Sequence, residues 1–245
     1  MSKTIFLLFP LIFAFCKVSK NVQSSSKLTK GTILFTNYFE ITENGEKNLQ
    51  QFLDSLVSTA LTLSHDNPDL DSAHIKSYGL GYPIVEQFKY KPTLTVHIEF
   101  DEDTIWRYET LDEAIRGNIF SIDAENGILN YHPKGDRHTT VRKVNLFEIA
   151  GEYEVIIDYQ DKKNILGIEC YKVTLKKKEE IDDEIPIDSW DTLYEMYVTE
   201  AIDLPVLALL NVTKPFNDFF PLEVKIKESG MPGVYEIFRA IELTP

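Results

Sequence analysis

Only one stretch of this chain carries helical periodicity, and that most constrains its fold. From Asn48 to Leu63 apolar residues fall at Leu49, Phe52, Leu53, Leu56, Val57, Ala60 and Leu61. The alternating three- and four-residue spacing gives one continuous apolar face. Asn44-Gly45 before it and Asn67-Pro68 after it act as start and stop signals. A helix with so wide a stripe must lie against something apolar. The rest of the chain supplies strands to meet it.

Thr93–Phe100 shows the strand pattern most cleanly, with Leu94, Val96, Ile98 and Phe100 on one face and Thr95, His97 and Glu99 on the other. Comparable runs are Ile33–Ile41, Ile84–Lys91, Thr104–Thr110, Asn118–Asp123, Ile128–His132 and Val141–Phe147, then Glu152–Tyr159, Ile168–Lys177, Leu193–Thr199, Leu222–Ser229 and Val234–Leu243. Asn126-Gly127 is the strongest hairpin signal among their junctions. Gln160–Asn164 reads as a polar turn, Leu111–Arg116 as one helical turn or a plain connection, and acidic Glu179–Asp191 as a solvated loop. The economical solution is a mainly β domain over residues 31–245: one large antiparallel sheet with the amphipathic helix across one face.

The N-terminus reads as an address. Lys3 precedes the apolar run Ile5–Phe15. Eleven residues rise about 16 Å as helix, half of what a bilayer core requires, which suits a signal peptide over residues 1–16 and not an anchor. Cleavage after Cys16, cleavage after Ser24, and lipidation of Cys16 all remain open. Residues 17–30, rich in Ser and Lys, form a flexible segment. The expected location is therefore exported: periplasm, outer membrane or outside the cell. With Cys16 and Cys170 the only cysteines, the fold does not depend on disulfides.

The net charge is −14, and the first thirty residues hold five lysines and no acid, so the remainder is more acidic still. Such a surface repels phosphate backbones and excludes nucleic acid as a partner. His65, Asp66, Asp69, Asp71 and His74 form the densest ligand-type cluster, but Asn67-Pro68 interrupts it and its spacing matches no metal motif. It reads as a polar loop, with no metal and no cofactor. Cys170 reads as a buried structural thiol, and His132 and His138 as solvent-facing loop residues. Asn211-Val212-Thr213 fits a glycosylation sequon. No nucleophile elbow or phosphate-binding glycine loop is present.

The run Asn164-Ile165-Leu166-Gly167-Ile168-Glu169-Cys170-Tyr171-Lys172 resembles a strand of the GLPGLI-type and related secreted bacterial envelope proteins. Lys30–Ile33, Tyr194–Glu200 followed by Pro205, and Phe220–Glu223 resemble further segments of the group, although the GLPGLI hexapeptide itself is absent. The resemblance extends to the LolA/LppX lipoprotein carriers, and it implies a curved half-barrel with helix in its concave side and an apolar pocket for an acyl chain. Phe52, Leu53, Leu56, Val57 and Ala60 are then the candidate pocket wall. The expected function is a non-enzymatic exported protein of the cell envelope that binds or carries a hydrophobic ligand. A structural or adaptor component with an envelope protein partner is the alternative, and a metal-dependent hydrolase a third reading.

Overall fold

The computed structural model of the chain describes residues 27–51, 54, 92–102, 104–149, 151–178, 191–229 and 231–245. Eleven strands form one curved, open antiparallel sheet. They are β1 (Gly31–Ile41), β2 (Leu94–Phe100), β3 (Ile105–Leu111), β4 (Ala114–Asp123), β5 (Ile128–His132), β6 (Arg142–Asn145), β7 (Glu152–Ile165), β8 (Ile168–Lys178), β9 (Thr192–Thr199), β10 (Phe220–Glu228) and β11 (Val234–Thr244). The order across the sheet is β6-β5-β4-β3-β2-β1-β11-β10-β9-β8-β7. Two meanders run outward from a central seam where β1 pairs with β11, from Thr32 opposite Thr244 to Ile41 opposite Val234.

Eleven of the twelve expected strands are present; the twelfth, Ile84–Lys91, lies outside the described residues. Two junctions differ from expectation. Leu111–Arg116 is neither a helical turn nor a plain connection. Asp112 and Glu113 both take positive φ (48° and 66°) and close a two-residue hairpin between β3 and β4. Gln160–Asn164 is not a turn either, because β7 runs on to Ile165 and the reversal is made by Leu166 and Gly167 at φ 53° and 84°. Asn164 Oδ1 accepts from the Gly167 amide at 3.1 Å and steadies that reversal. The polar residues instead form a bulge, in which Asp158 Oδ1 accepts from the amides of Gln160 and Asp161 at 2.9 and 3.3 Å.

The helix, α1, begins at residue 43, earlier than the periodicity indicates, and is described over 43–51. Thr42 caps it: its hydroxyl oxygen accepts from the Gly45 amide at 3.0 Å. Leu49, the first residue of the apolar stripe, is fully buried against Val234, Phe39, Ile41 and Met231. Phe39 and Ile41 alternate in step with Ile33 and Phe35, so α1 starts on the buried face of the sheet.

The same face is covered by the connection between β9 and β10. Ile202, Leu204, Val206, Leu207, Leu209, Leu210 and Val212 are all buried there, around a short 3₁₀ turn at Val206–Ala208. They pack on Ile33, Phe35, Val96, Ile98, Met196, Leu222 and Val224 from the central strands. Each such side chain contributes on the order of 1.5–3 kcal/mol by leaving water. Leu28 joins this layer through hydrogen bonds with Ala201 and Asp203, so the expected flexible segment is already fixed by residue 28. Among the described residues, no helix is long and apolar enough to cross a membrane.

Candidate functional site

The connection and the sheet do not meet everywhere. A cavity of about 370 Å³ lies between them on the buried face, within the size range of small-molecule pockets. Val96, Phe120, Ile226 and Phe238 rise into it from four strands, and Leu209 and Leu210 come down from the connection. Strand alternation sets this arrangement: Val96 is opposite Phe35 in register, and Val224, two residues before Ile226, is opposite Phe238.

The remaining wall is polar. Glu109, Glu228, Glu236, Asn211, Tyr194 and Arg107 complete it. Asn37 Nδ2 donates to Glu236 at 2.9 Å, and the Thr192 hydroxyl donates to Glu228 at 2.8 Å. Arg107 is buried and donates to the Leu209 carbonyl oxygen at 2.8 Å and to Asn211 Oδ1 at 2.7 Å. Its guanidinium lies 5.1 Å over the Phe120 ring. Burial brings its pKa down to about 10, against the pull of Glu109, so it stays cationic at neutral pH. A ligand in this space meets an apolar floor and a charged rim, which fits an amphipathic molecule better than a bare hydrocarbon.

The candidate wall Phe52, Leu53, Leu56, Val57 and Ala60 lies outside the described residues, as do Cys16 and the His65–His74 cluster. Among the described residues no group of three or more side chains is placed to hold a metal. Of the residues that line the cavity, Val96 was legible as an inward strand position, and Phe120, Ile226 and Phe238 lay within expected strands without an assigned face. Leu209, Leu210 and Arg107 were missed. The apolar run Ile202–Val212 was the available signal for the first two, while a buried arginine in a strand has no signature.

On the other face, β2 to β5 carry a polar and aromatic network. Arg137 makes two hydrogen bonds to Glu99, at 2.7 and 3.1 Å, and lies over the rings of Trp106 and Tyr108 at 5.0 and 5.6 Å. The Tyr108 hydroxyl donates to Glu99 at 2.7 Å, and burial, with Glu99 adding to it, pushes its pKa up to about 12. His97 stacks on Tyr108 at 4.6 Å and is 3.0 Å from the Thr110 hydroxyl. Register puts these groups side by side, since Glu99 is opposite Trp106 and His97 opposite Tyr108.

His132 is not solvent-facing as expected. It is buried beneath Trp106, with ring centroids 5.1 Å apart, 2.9 Å from the Ser121 hydroxyl and 3.1 Å from the Thr139 carbonyl oxygen. The carbonyl can only accept, so it fixes a proton on Nδ1 and leaves Nε2 to accept from Ser121. The pair makes a hydrogen bond beneath Trp106, with Ser121 half-buried and His132 buried. His138 is exposed. Cys170 is free and buried, and burial pushes its thiol up to about 11, which makes it a poor nucleophile.

No family model, curated protein or solved structure matches the chain.

Proposed function

We propose that the protein is an exported, non-enzymatic protein of the cell envelope that binds or carries a hydrophobic ligand, a lipid or a lipoprotein acyl chain. The observation that carries this reading is the cavity of about 370 Å³ left between the sheet and the β9–β10 connection. Its floor of Val96, Phe120, Ile226 and Phe238 takes the apolar body of the ligand. Its rim at Arg107, Glu109 and Asn211 takes a polar head. The resemblance to lipoprotein carriers supports the same reading, as does the signal-peptide pattern of residues 1–16.

Native mass spectrometry of the protein purified from its host tests it, with a co-purifying lipid mass as the expected result. A fluorescent fatty acid should bind in parallel, and Ile226→Trp, which fills part of the cavity, should abolish that binding while the unfolding midpoint stays near that of the unaltered protein. Absence of both the lipid mass and probe binding would overturn the reading and leave the structural or adaptor role.

A further inference from the structure

The two edges of the sheet are managed very differently. The β6 edge is four residues long. The β7 edge spans fourteen, and among the described residues no strand pairs with its outer side. Val155, Ile156, Ile157 and Tyr159 on this strand are 43%, 54%, 42% and 55% exposed. An open strand edge presents a row of backbone N–H and C=O groups, which only another extended backbone satisfies in full.

The inner side of β7 shows what such a strand must look like. Opposite its three acids, Glu152, Glu154 and Asp158, β8 sets Lys178, Lys176 and Lys172. Opposite Val155 and Ile157 it sets Leu175 and Val173. The same β7 side chains face an incoming strand on the outer side, so the same complement applies there: lysines alternating around a short apolar centre.

A second copy fits badly. Antiparallel self-pairing within residues 152–158 would gather three carboxylates from each copy along one seam, with no cation in that stretch. The chain's other edge, β6, is basic at Arg142 and Lys143 but spans only four residues. The bulge after Asp158 bends the edge away and sets the length of the docking site at seven residues.

We propose that the outer edge of β7 over Glu152–Asp158 docks an extended, lysine-rich segment of a protein partner, which adds to the sheet as an antiparallel strand. The inference stands apart from the ligand reading, since this edge is remote in sheet order from Val96 and Phe120. A labelled synthetic peptide reproducing residues 172–178 is the probe, titrated into the full chain while backbone amide shifts are followed. Saturable binding is expected, with shifts concentrated at residues 152–158. Replacing the peptide lysines by glutamates, or methylating alternate backbone nitrogens, should weaken binding about tenfold or more. Ile156→Lys, a change at an exposed position, should weaken it comparably without altering the fold. Three outcomes would overturn the proposal. The first is no binding, and the second is equal binding of the N-methylated peptide. The third is concentration-dependent assembly of the protein that Ile156→Lys abolishes, which would make a second copy the occupant.

Discussion

Arg107 reaches from the third strand to the Leu209 carbonyl oxygen at 2.8 Å, and so ties the sheet to the segment that covers it. Its second bond, to Asn211 at 2.7 Å, holds the same segment two residues further on. Arg107→Met keeps the stem and removes both donors. The Leu209 carbonyl then loses a partner in a buried place, and urea denaturation should show a loss of about 1–3 kcal/mol. Unchanged stability would mean that burial alone holds the segment down.

Leu207 and Ile156 should respond in opposite ways to the same truncation. Leu207 is 1% exposed in the centre of the covering connection, so Leu207→Ala should cost about 2–5 kcal/mol through lost burial and a cavity. Ile156 stands on an open edge, and Ile156→Ala should stay within about 0.5 kcal/mol of the unaltered protein. Equilibrium unfolding of both variants checks the contrast. Similar losses would contradict the described burial of one or the other.

Gly45 is a helix residue that alanine should not improve. On an open helix, Gly→Ala stabilises by about 1 kcal/mol. Here an added Cβ would run into the Gly233 carbonyl oxygen, with backbone on the far side that cannot swing away. Gly45→Ala should therefore lower the thermal midpoint. A raised midpoint would show that α1 does not press on the β10–β11 turn.

Stability should fall in two steps as the solution is acidified. Burial lowers the His97 pKa below its ordinary 6.5, against an opposing pull from Glu99. The unfolded chain therefore takes up this proton first, and stability declines as pH drops below about 6.5. The Arg137 hydrogen bond holds the Glu99 carboxyl below its ordinary 4.5, burial opposes it and Tyr108 assists. Its contribution is complete above that value and is lost as pH falls through the lower folded one. Melting curves across this range should lose the upper step in His97→Gln and the lower step in Glu99→Gln. Retention of both steps in both variants would refute the assignment.

The strands were legible because a half-buried sheet imposes a period of two, and Leu94 to Phe100 follows it without exception. Turns were legible where glycine or asparagine marked them, as at Gly127, whose φ is 68°. They were missed where ordinary residues take positive φ, as at Glu113 and Leu166, because nothing local in those side chains announces it. The covering segment was obscured for another reason. Val206–Leu210 is apolar and buried without interruption, and a run buried all round has no periodicity to read. Arg107 illustrates the limit: its role depends on Leu209 and Asn211, about a hundred positions away, which no local pattern links to it.

The seam between β1 and β11 has a consequence for the order of events during synthesis. Thr32 and Thr244 are neighbours in register but stand near opposite ends of the chain. Strands β2 to β5 and the pair β7–β8 are joined by loops of two to four residues and form early. The joint between β1 and β11 must wait until β11 has left the ribosome, whatever has formed before. Until then β1 and β10 each present an unclosed margin in the middle of the future sheet, where a stray strand is most damaging. A ribosome stalled before Val234 should leave the β11-facing amides of β1 and β10 unprotected, and release of β11 should protect both in one late step.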